Sequence, residues 1–343
     1  PLIVQATEQT EEETVSSVTQ MIEEVENKMQ MAPKSTEITE CFDIDDIQVV
    51  DEIETKLQTA PKPAEITDHF DIDSKDKFIE FMTTPRYYES NWEINLLCDI
   101  DMEGAAPGAP GQINEYRGKF NGNEHVISNM AFSNCCFVKN NHGTISGIGF
   151  RNCQQVNVDN DSRTAGFVIN NGGIINNCFT ENVNVTGNGN YVGGFAGKNE
   201  GTITNCTATG NVTGKDYVGG FIGYNWYGTI TNCTATGKVT GKDYVGEFVG
   251  VNGATIMECK TKGNVTGKEF VGGFVGLNQK NGKITECKAE GEVTGEQYVG
   301  GFVGVNANDE TIGTITNCEA EGDVTGKEFV GGFAGVNEGN ITE

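Results

Sequence analysis

The sequence predicts an all-β fold, a right-handed parallel β-solenoid (β-helix) with coils of ~27 residues, preceded by an acidic helical N-terminal segment. An aromatic residue, Val, Gly, usually a second Gly, and then Phe recur at intervals of 26 to 31 residues, starting at Tyr191, Tyr217, Tyr244, Phe270, Tyr298 and Phe329. A unit of this length cannot enclose its own apolar face, so the units must stack. Propeller blades need about 40 residues. Parallel strands connected in one sense favour a right-handed winding.

Each repeat predicts three short strands, of which the coil 201–225 is an example. Alternation with a period of two residues indicates the inward side chains, which are Ile203 in the first strand, Cys206, Ala208 and Val212 in the second, and Val218 and Phe221 in the third. The pair Gly219-Gly220 predicts a bend in the third strand.

Stacking converts equivalent residues into columns along the solenoid axis. We expect an inner Phe column of Phe195, Phe221, Phe248, Phe274, Phe302 and Phe333. We expect an inner Val column of Val185, Val212, Val239, Val265, Val293 and Val324. An Asn column should pass amide hydrogen bonds from coil to coil, through Asn199, Asn225, Asn252, Asn278, Asn306 and Asn337.

The corners of the coils lead to two predictions, one for a recurring glycine and one for a single glutamate. The sequence Val-Thr-Gly closes the second strand of each repeat and predicts positive φ at Gly187, Gly214, Gly241, Gly267, Gly295 and Gly326. Glu247 stands where the other repeats have their second motif glycine. It should therefore distort one corner or project a carboxylate there.

Eleven cysteines are present, and seven of them recur once per repeat, at Cys153, Cys178, Cys206, Cys233, Cys259, Cys287 and Cys318. Their spacing matches neither a crowded disulfide framework nor paired zinc ligands. Coils lie ~4.8 Å apart, so disulfides between coils are within reach. We favour a ladder of buried thiols that pack as small apolar side chains.

Composition divides the chain into three regions. Residues 1–65 are strongly acidic, and two amphipathic patterns ended by Pro33 and Pro61 predict short helices. We interpret this region as a spacer or docking segment, with disorder and nascent helix as the alternative. Residues 66–190 form the entrance of the solenoid, with a capping helix at 74–83, a strand at 92–101 and irregular coils. Residues 191–343 contain the regular repeats.

The formal net charge of −26 argues against nucleic acid and anionic lipid as partners. The sequence contains no apolar run long enough to insert into a membrane. Outward Thr pairs at Thr207 and Thr234 give way to charged residues in later coils, which excludes a regular ice-binding array. Lys-Asp and Lys-Glu neighbours on successive coils indicate a solvated, charged face.

Few residues have the chemistry of an active site. The three histidines, His69, His125 and His142, show no sequence pairing with a nucleophile or an acid. A loop with Asp159, Asp161 and Arg163 is interpreted as a solvated turn, with calcium binding and catalysis as alternatives. The acids Asp43, Asp45 and Asp46 lack the spacing of a helix-loop-helix calcium loop. We therefore expect no catalytic, cofactor or metal site.

The repeats resemble the GLUG motif of large bacterial surface and secreted proteins, including adhesins. The resemblance is carried by the segment Tyr-Val-Gly-Gly-Phe-Ile-Gly at 217–223 and its counterparts, and by Gly-Thr-Ile-Thr-Asn-Cys at 201–206, 228–233 and 313–318. It covers about residues 66–343. It implies a surface-exposed solenoid and specifies no activity, because such repeats occur in proteins with diverse functions.

These observations predict a non-enzymatic extracellular structural or adhesion module, whose rigid solenoid stalk presents or binds through its lateral face. The candidate partners are a protein or glycan on a host or neighbouring cell. The alternative is a subunit of an extracellular filament or surface layer that associates end to end. A polysaccharide-active β-helix enzyme is the remote alternative.

Overall fold

The computed structural model describes residues 66–106, 112–133, 136–157, 163–279, 281–309 and 311–343. The helices and docking role predicted for residues 1–65 lie outside the described residues, as do the acids at 43–46 and Asp159 and Asp161. The described residues form a parallel β-solenoid of about nine coils, so the predicted fold class is confirmed.

Four parallel sheets line the solenoid, here called sheets I to IV. Sheet I contains Asp68–Ile72, Trp92–Leu96, Lys119–Asn121, Thr144–Ser146, Ile174–Asn176, Thr202–Thr204, Thr229–Thr231, Thr255–Met257, Lys283–Thr285, Thr314–Thr316 and Asn340–Thr342. Sheet II contains Ile100–Asp101, Val126–Ser128, Ala131–Ser133, Gly149–Arg151, Gln154–Asn157, Phe179–Glu181, Asn184–Gly187, Thr207–Thr209, Val212–Thr213, Thr234–Thr240, Lys260–Thr266, Lys288–Glu290, Val293–Thr294, Glu319–Glu321 and Val324–Thr325.

Sheets III and IV receive the strands that come after those of sheet II along each coil. Sheet III contains Thr164–Ala165, Asn190–Gly193, Asp216–Gly219, Asp243–Gly246, Glu269–Gly272, Gln297–Gly300 and Glu328–Gly331. Sheet IV contains Ile113–Tyr116, Val138–Asn141, Val168–Asn171, Ala196–Asn199, Ile222–Asn225, Val249–Asn252, Val275–Asn278, Val303–Asn306 and Ala334–Asn337. A short antiparallel pair joins Asn308–Asp309 to Thr311–Ile312 beside this stack.

The coil 201–225 has five short strands where the sequence predicted three. Asn205, with a φ of 54°, turns the chain from sheet I to sheet II, so Cys206 lies at a corner and not within a strand. Gly210, with a φ of 145°, separates the two strands of sheet II. These residues interrupt the extended backbone that period-two alternation assumes, which is why the count was wrong.

The predicted interior columns are confirmed. Successive rings of the Phe column lie 4.8 to 4.9 Å apart, with planes 2° to 13° from parallel. The Val column aligns in register through pairs such as Val212 with Val239. Because each coil buries its neighbour's apolar face, the core runs continuously along the described coils.

The entrance contains the predicted helix, Lys75–Thr83, which Ser74 caps by accepting a hydrogen bond from the Lys77 peptide. A 3-10 helix, Pro85–Tyr88, follows it. The Phe81 ring packs against Phe120 at 5.5 Å, so the helix covers apolar side chains of the early coils. The single strand predicted at 92–101 is divided at the exposed Leu97.

The prediction of positive φ at the Val-Thr-Gly glycines is wrong. These glycines are required by close packing: a Cβ on Gly214 would lie 2.8 Å from Cγ2 of Val218 and 2.9 Å from Cβ of Val192. Positive φ, from 52° to 58°, falls instead on the first residue of each motif, at Tyr191, Tyr217, Tyr244, Phe270, Tyr298 and Phe329.

Candidate functional site

The aromatic residues that open the motif form an outer column, here called the aromatic ladder. Its six rings stack with centroids 4.6 to 5.0 Å apart. The last glycine of the motif makes room for this ladder: a Cβ on Gly250 would lie 2.7 Å from the carbonyl carbon of Tyr217. Gly276 has the same relation to Tyr244. The motif therefore encodes close contact between the backbones of adjacent coils.

The predicted Asn column is confirmed and begins earlier than expected, at Asn141. In each step an Nδ2 group donates to the Oδ1 of the Asn on the next coil, at 2.8 to 3.0 Å. Several of these amides also donate to a carbonyl two residues further along, as Asn199 does to Gly201. The column thus supplies hydrogen bonds to backbone carbonyl groups at the corner that would otherwise be buried without partners.

The buried thiol ladder is also confirmed: its seven cysteines are free thiols, of which six are buried and Cys318 is partly exposed. The Cys206 peptide N–H donates to Sγ of Cys233 at 3.4 Å, and the Cys206 thiol donates to the Thr204 carbonyl at 3.2 Å. Burial raises the pKa of Cys153 to about 11 and that of Cys206 well above its ordinary value. Thiols held in the protonated form are poor nucleophiles, so Cys153 and Cys206 serve as packing elements.

Glu247 projects its carboxylate at the corner, the second of the two predicted outcomes, and the side chain is completely buried. Neither carboxyl oxygen has a hydrogen-bond partner. Burial raises the pKa of Glu247 well above its ordinary value, against a smaller opposite effect of the Gly237 backbone. The neighbouring strand register is kept, with Val245 opposite Val271.

The outer face of sheet II carries an ion network where later coils replace Thr with charged residues. Lys288 Nζ lies 2.8 Å from Glu321, 3.3 Å from Glu290 and 3.7 Å from Glu319. Hydrogen bonding to Glu321 and Glu290 raises the pKa of Lys288. Another corner pairs Lys242 with Asp243 at 2.7 Å. These groups are exposed to solvent, so the predicted solvated face is present.

Two histidines do pair with acids, contrary to the sequence interpretation. His125 Nδ1 lies 3.0 Å from Asp99, and His142 Nε2 lies 3.1 Å from Glu115. The partners are 26 and 27 residues apart in sequence and lie on adjacent coils, a proximity visible only after stacking. The Val126 peptide N–H and then His125 lower the pKa of Asp99. Both pairs are solvent-accessible, and His69 is exposed in the first strand.

Arg163, the described member of the predicted acidic loop, contacts the aromatic ladder. It donates to Oδ1 of Asn170 at 2.8 Å and lies 5.7 Å from the Tyr191 ring centre. Among the described residues, His, Cys, Asp and Glu form no group of three or more arranged to hold a metal ion. No helix in the described ranges is long and apolar enough to cross a membrane.

A cluster of aromatic side chains overlaps the ladder, and its two exposed members, Trp226 and Tyr227, were not singled out from the sequence. We call it the aromatic island; it consists of Tyr191, Tyr217, Tyr224, Trp226 and Tyr227. Tyr224 stacks on Tyr191 at 5.7 Å and 10°, and Trp226 lies 5.2 Å from Tyr224. Tyr227 lies 5.6 Å from Trp226 and is 74% exposed. The pair Trp226-Tyr227 occurs in one coil only, so comparison of the repeats did not reveal it.

Stacked coils of short repeats place this protein among the parallel β-solenoid repeat proteins. Four segments, 188–213, 216–240, 271–294 and 295–325, match the family model described as the GLUG motif. The chain therefore carries GLUG repeats, as the resemblance predicted. The interval 241–270, between the second and third segments, contains Glu247 in the position of a motif glycine.

One relative among curated proteins is halomucin of Haloquadratum walsbyi (strain DSM 16790 / HBSQ001). It is 32% identical over 120 residues, which are 35% of this chain and 1% of halomucin. The similarity is thus local, and the chain spans a very small part of that protein's length. No solved structure matches this chain.

Proposed function

We propose that the protein is a non-enzymatic structural module at the cell surface or in the extracellular space, where its solenoid presents lateral faces to other molecules. The GLUG repeats and the local similarity to halomucin fit a structural role at a surface. The observation that carries the proposal is the continuity of the columns. Phe, Asn, thiol and aromatic residues each link one coil directly to the next.

Columns that join every coil to the next are suited to a mechanically stiff spacer. Each coil is joined to its neighbour by strand hydrogen bonds in four sheets and by an Asn–Asn bond of 2.8 to 3.0 Å. Bending the solenoid would break several of these contacts together, since each repeat contacts mainly its neighbours. A stiff module of this kind holds its lateral surface at a fixed distance from its attachment point.

The lateral face would serve adhesion, by binding a protein or glycan on a host or neighbouring cell. Six of the seven repeat cysteines are buried, and the two histidine–acid pairs lie on an accessible surface. This arrangement favours binding over catalysis.

Antibodies raised against residues 191–343 test the location on intact producing cells. The proposal expects surface labelling, or recovery of the protein from the medium, without permeabilisation. Labelling confined to permeabilised cells would contradict it. Incubation of the purified protein with neutral and acidic polysaccharides should release no reducing ends, and reproducible release would favour the enzyme alternative.

A second candidate function is end-to-end association into a filament or surface layer. Its support is the parallel pairing of successive coils in each of sheets I to IV, which a second copy could continue. Sedimentation at rising concentration should then show reversible association. A strict monomer at every concentration would rule the candidate out.

A further inference from the structure

We propose that the aromatic island is a binding platform for neutral carbohydrate, with Trp226 and Tyr227 as the stacking surfaces. The proposal deepens the lateral binding role proposed above and assigns it a location and a ligand class.

The platform is held in place before any ligand arrives. Trp226 is 37% exposed, while Tyr224 beneath it is almost buried. The Lys198 ammonium lies 4.2 Å from the Trp226 ring centre, a cation–π contact. Tyr224 is in turn fixed by stacking on Tyr191 and by a hydrogen bond of 2.7 Å from Gln279. A ligand that stacks on Trp226 therefore loses little affinity to ordering the site.

The register of the coils makes the platform stand out from the surface. The Trp226 peptide donates to the Asn199 carbonyl at 2.9 Å, and the Gly253 peptide donates to the Asn225 carbonyl at 2.8 Å. Glu200, Trp226 and Gly253 thus lie at equivalent positions on successive coils. Gly253 has no side chain of its own, and the Gln279 side chain lies beside it and reaches Tyr224. Trp226 and Tyr227 form a step at this edge, with 37% and 74% of their surfaces exposed.

Polar groups border this step. Gln279 reaches across Gly253, where an added Cβ would lie 2.5 Å from its Nε2 atom. On the preceding coil, Lys198 and the exposed Glu200 form an ion pair of 2.7 Å. An amide, an ammonium and a carboxylate therefore surround two exposed aromatic rings. This combination of apolar surface and convergent polar groups is typical of small-ligand sites.

A pyranose ring matches that surface, because its axial C–H bonds form an apolar face while its hydroxyl groups point outward around the edge. The face stacks on an aromatic ring, and the hydroxyl groups can both donate to Glu200 and accept from Gln279. The charges of Lys198 and Glu200 cancel, so the site offers an acidic ligand no net positive charge. The net charge of the chain, −26, also disfavours anionic glycans and anionic lipids as partners. The proposed ligands are therefore neutral sugars.

The test uses the fluorescence of Trp226. The chain has two tryptophans, and Trp92→Phe removes the other, which packs at 4.9 Å against Tyr87 in the entrance. An array of neutral and acidic glycans is screened first with the full chain. Cellohexaose, xylohexaose, maltohexaose and N-acetylchitohexaose are then titrated into the Trp92→Phe protein. The expected result is a saturable change in Trp226 emission with at least one neutral oligosaccharide.

Variants separate the platform from the rest of the surface. Tyr227→Ala and Trp226→Ala should each weaken sugar binding about tenfold or more, measured by calorimetry, while Tyr227→Phe should retain it. Ile174→Ala is the matched control, since Ile174 is also an exposed apolar residue, at 47%, in sheet I. Circular dichroism melting should be unchanged in Tyr227→Ala, because that ring is mostly in solvent.

Any of three results with glycans would overturn the proposal: no binding of any neutral glycan, binding that both Ala variants leave intact, or preferential binding of acidic glycans. Saturable binding of an apolar peptide at Trp226 in place of sugar would also refute it. These outcomes are independent of the surface-labelling experiment. A surface-exposed protein that binds no sugar would lose the platform and retain the structural role.

Discussion

Replacing Glu247 with glycine tests the stacked core most directly, and we expect the variant to be more stable than the natural sequence. A buried polar group without a hydrogen-bond partner costs about 1–3 kcal/mol, and both carboxyl oxygens of Glu247 are in this state. Glycine adds a conformational cost of about 0.5–1 kcal/mol. The difference is a net gain of up to about 2.5 kcal/mol, or a rise in Tm of up to roughly 10 °C for a domain of this size.

The stability gained by Glu247→Gly should increase as the pH rises. Burial raises the pKa of Glu247 well above its ordinary value of 4.5, so the folded state binds this proton more tightly than the unfolded state. The stability of the natural protein therefore falls as the pH rises above the unfolded value. Glu247→Gly has no such group. Its advantage should be smallest below about pH 4 and should grow towards neutral pH.

Urea unfolding followed by circular dichroism at pH 4 and pH 7 measures both effects. Glu247→Gln separates the charge from the side-chain volume, and Glu292→Gln is the control for loss of an exposed carboxylate. A variant Glu247→Gly that is less stable than the natural protein would refute the reasoning. So would an equal difference at the two pH values, because the burial of an ionisable group would then have no energetic consequence.

Further substitutions test the columns individually. Phe248→Ala removes a ring stacked on both sides and should cost about 3–5 kcal/mol in urea unfolding; a loss below ~1 kcal/mol would contradict the continuous core. Asn252→Ala leaves Nδ2 of Asn225 and Oδ1 of Asn278 without their column partner and should cost about 2–4 kcal/mol. Lys288→Ala, in an exposed ion network, should change stability by less than ~1 kcal/mol. Mass spectrometry after alkylation should find Cys206 and Cys233 unmodified in the native protein and modified in denaturant; native modification would exclude the buried ladder.

The columns could be predicted because equivalent residues of a stacked repeat lie above one another. Once Phe221 and Phe248 occupy equivalent positions in adjacent coils, their contact follows from the strand spacing alone. The same argument located the Asn and Cys columns. Periodicity also identified the charged corner, where Lys242 and Asp243 lie side by side.

Other features needed the three-dimensional structure for identifiable reasons. A glycine such as Gly214 can be required either for a positive φ or for close packing. The sequence alone does not distinguish these two requirements. The pairing of His125 with Asp99 arises between coils of unequal content, outside any repeat pattern. Trp226 and Tyr227 occur once, and a single insertion carries no periodic signal. Function was the least predictable property, because lateral side chains vary freely while the interior columns are fixed.

The aromatic ladder shows why the motif is stable only as a series. Positive φ at a non-glycine residue costs about 1–2 kcal/mol, and each of the six motif aromatics adopts it. Glycine would avoid that strain but could not stack. An inner ring such as Tyr244 has two neighbours, at 4.8 and 4.6 Å, and each aromatic pair contributes about 0.5–1.5 kcal/mol beyond burial. Strain arises within one coil, whereas its compensation comes from the adjacent coils, so an isolated motif would lose the conformation that the stack maintains.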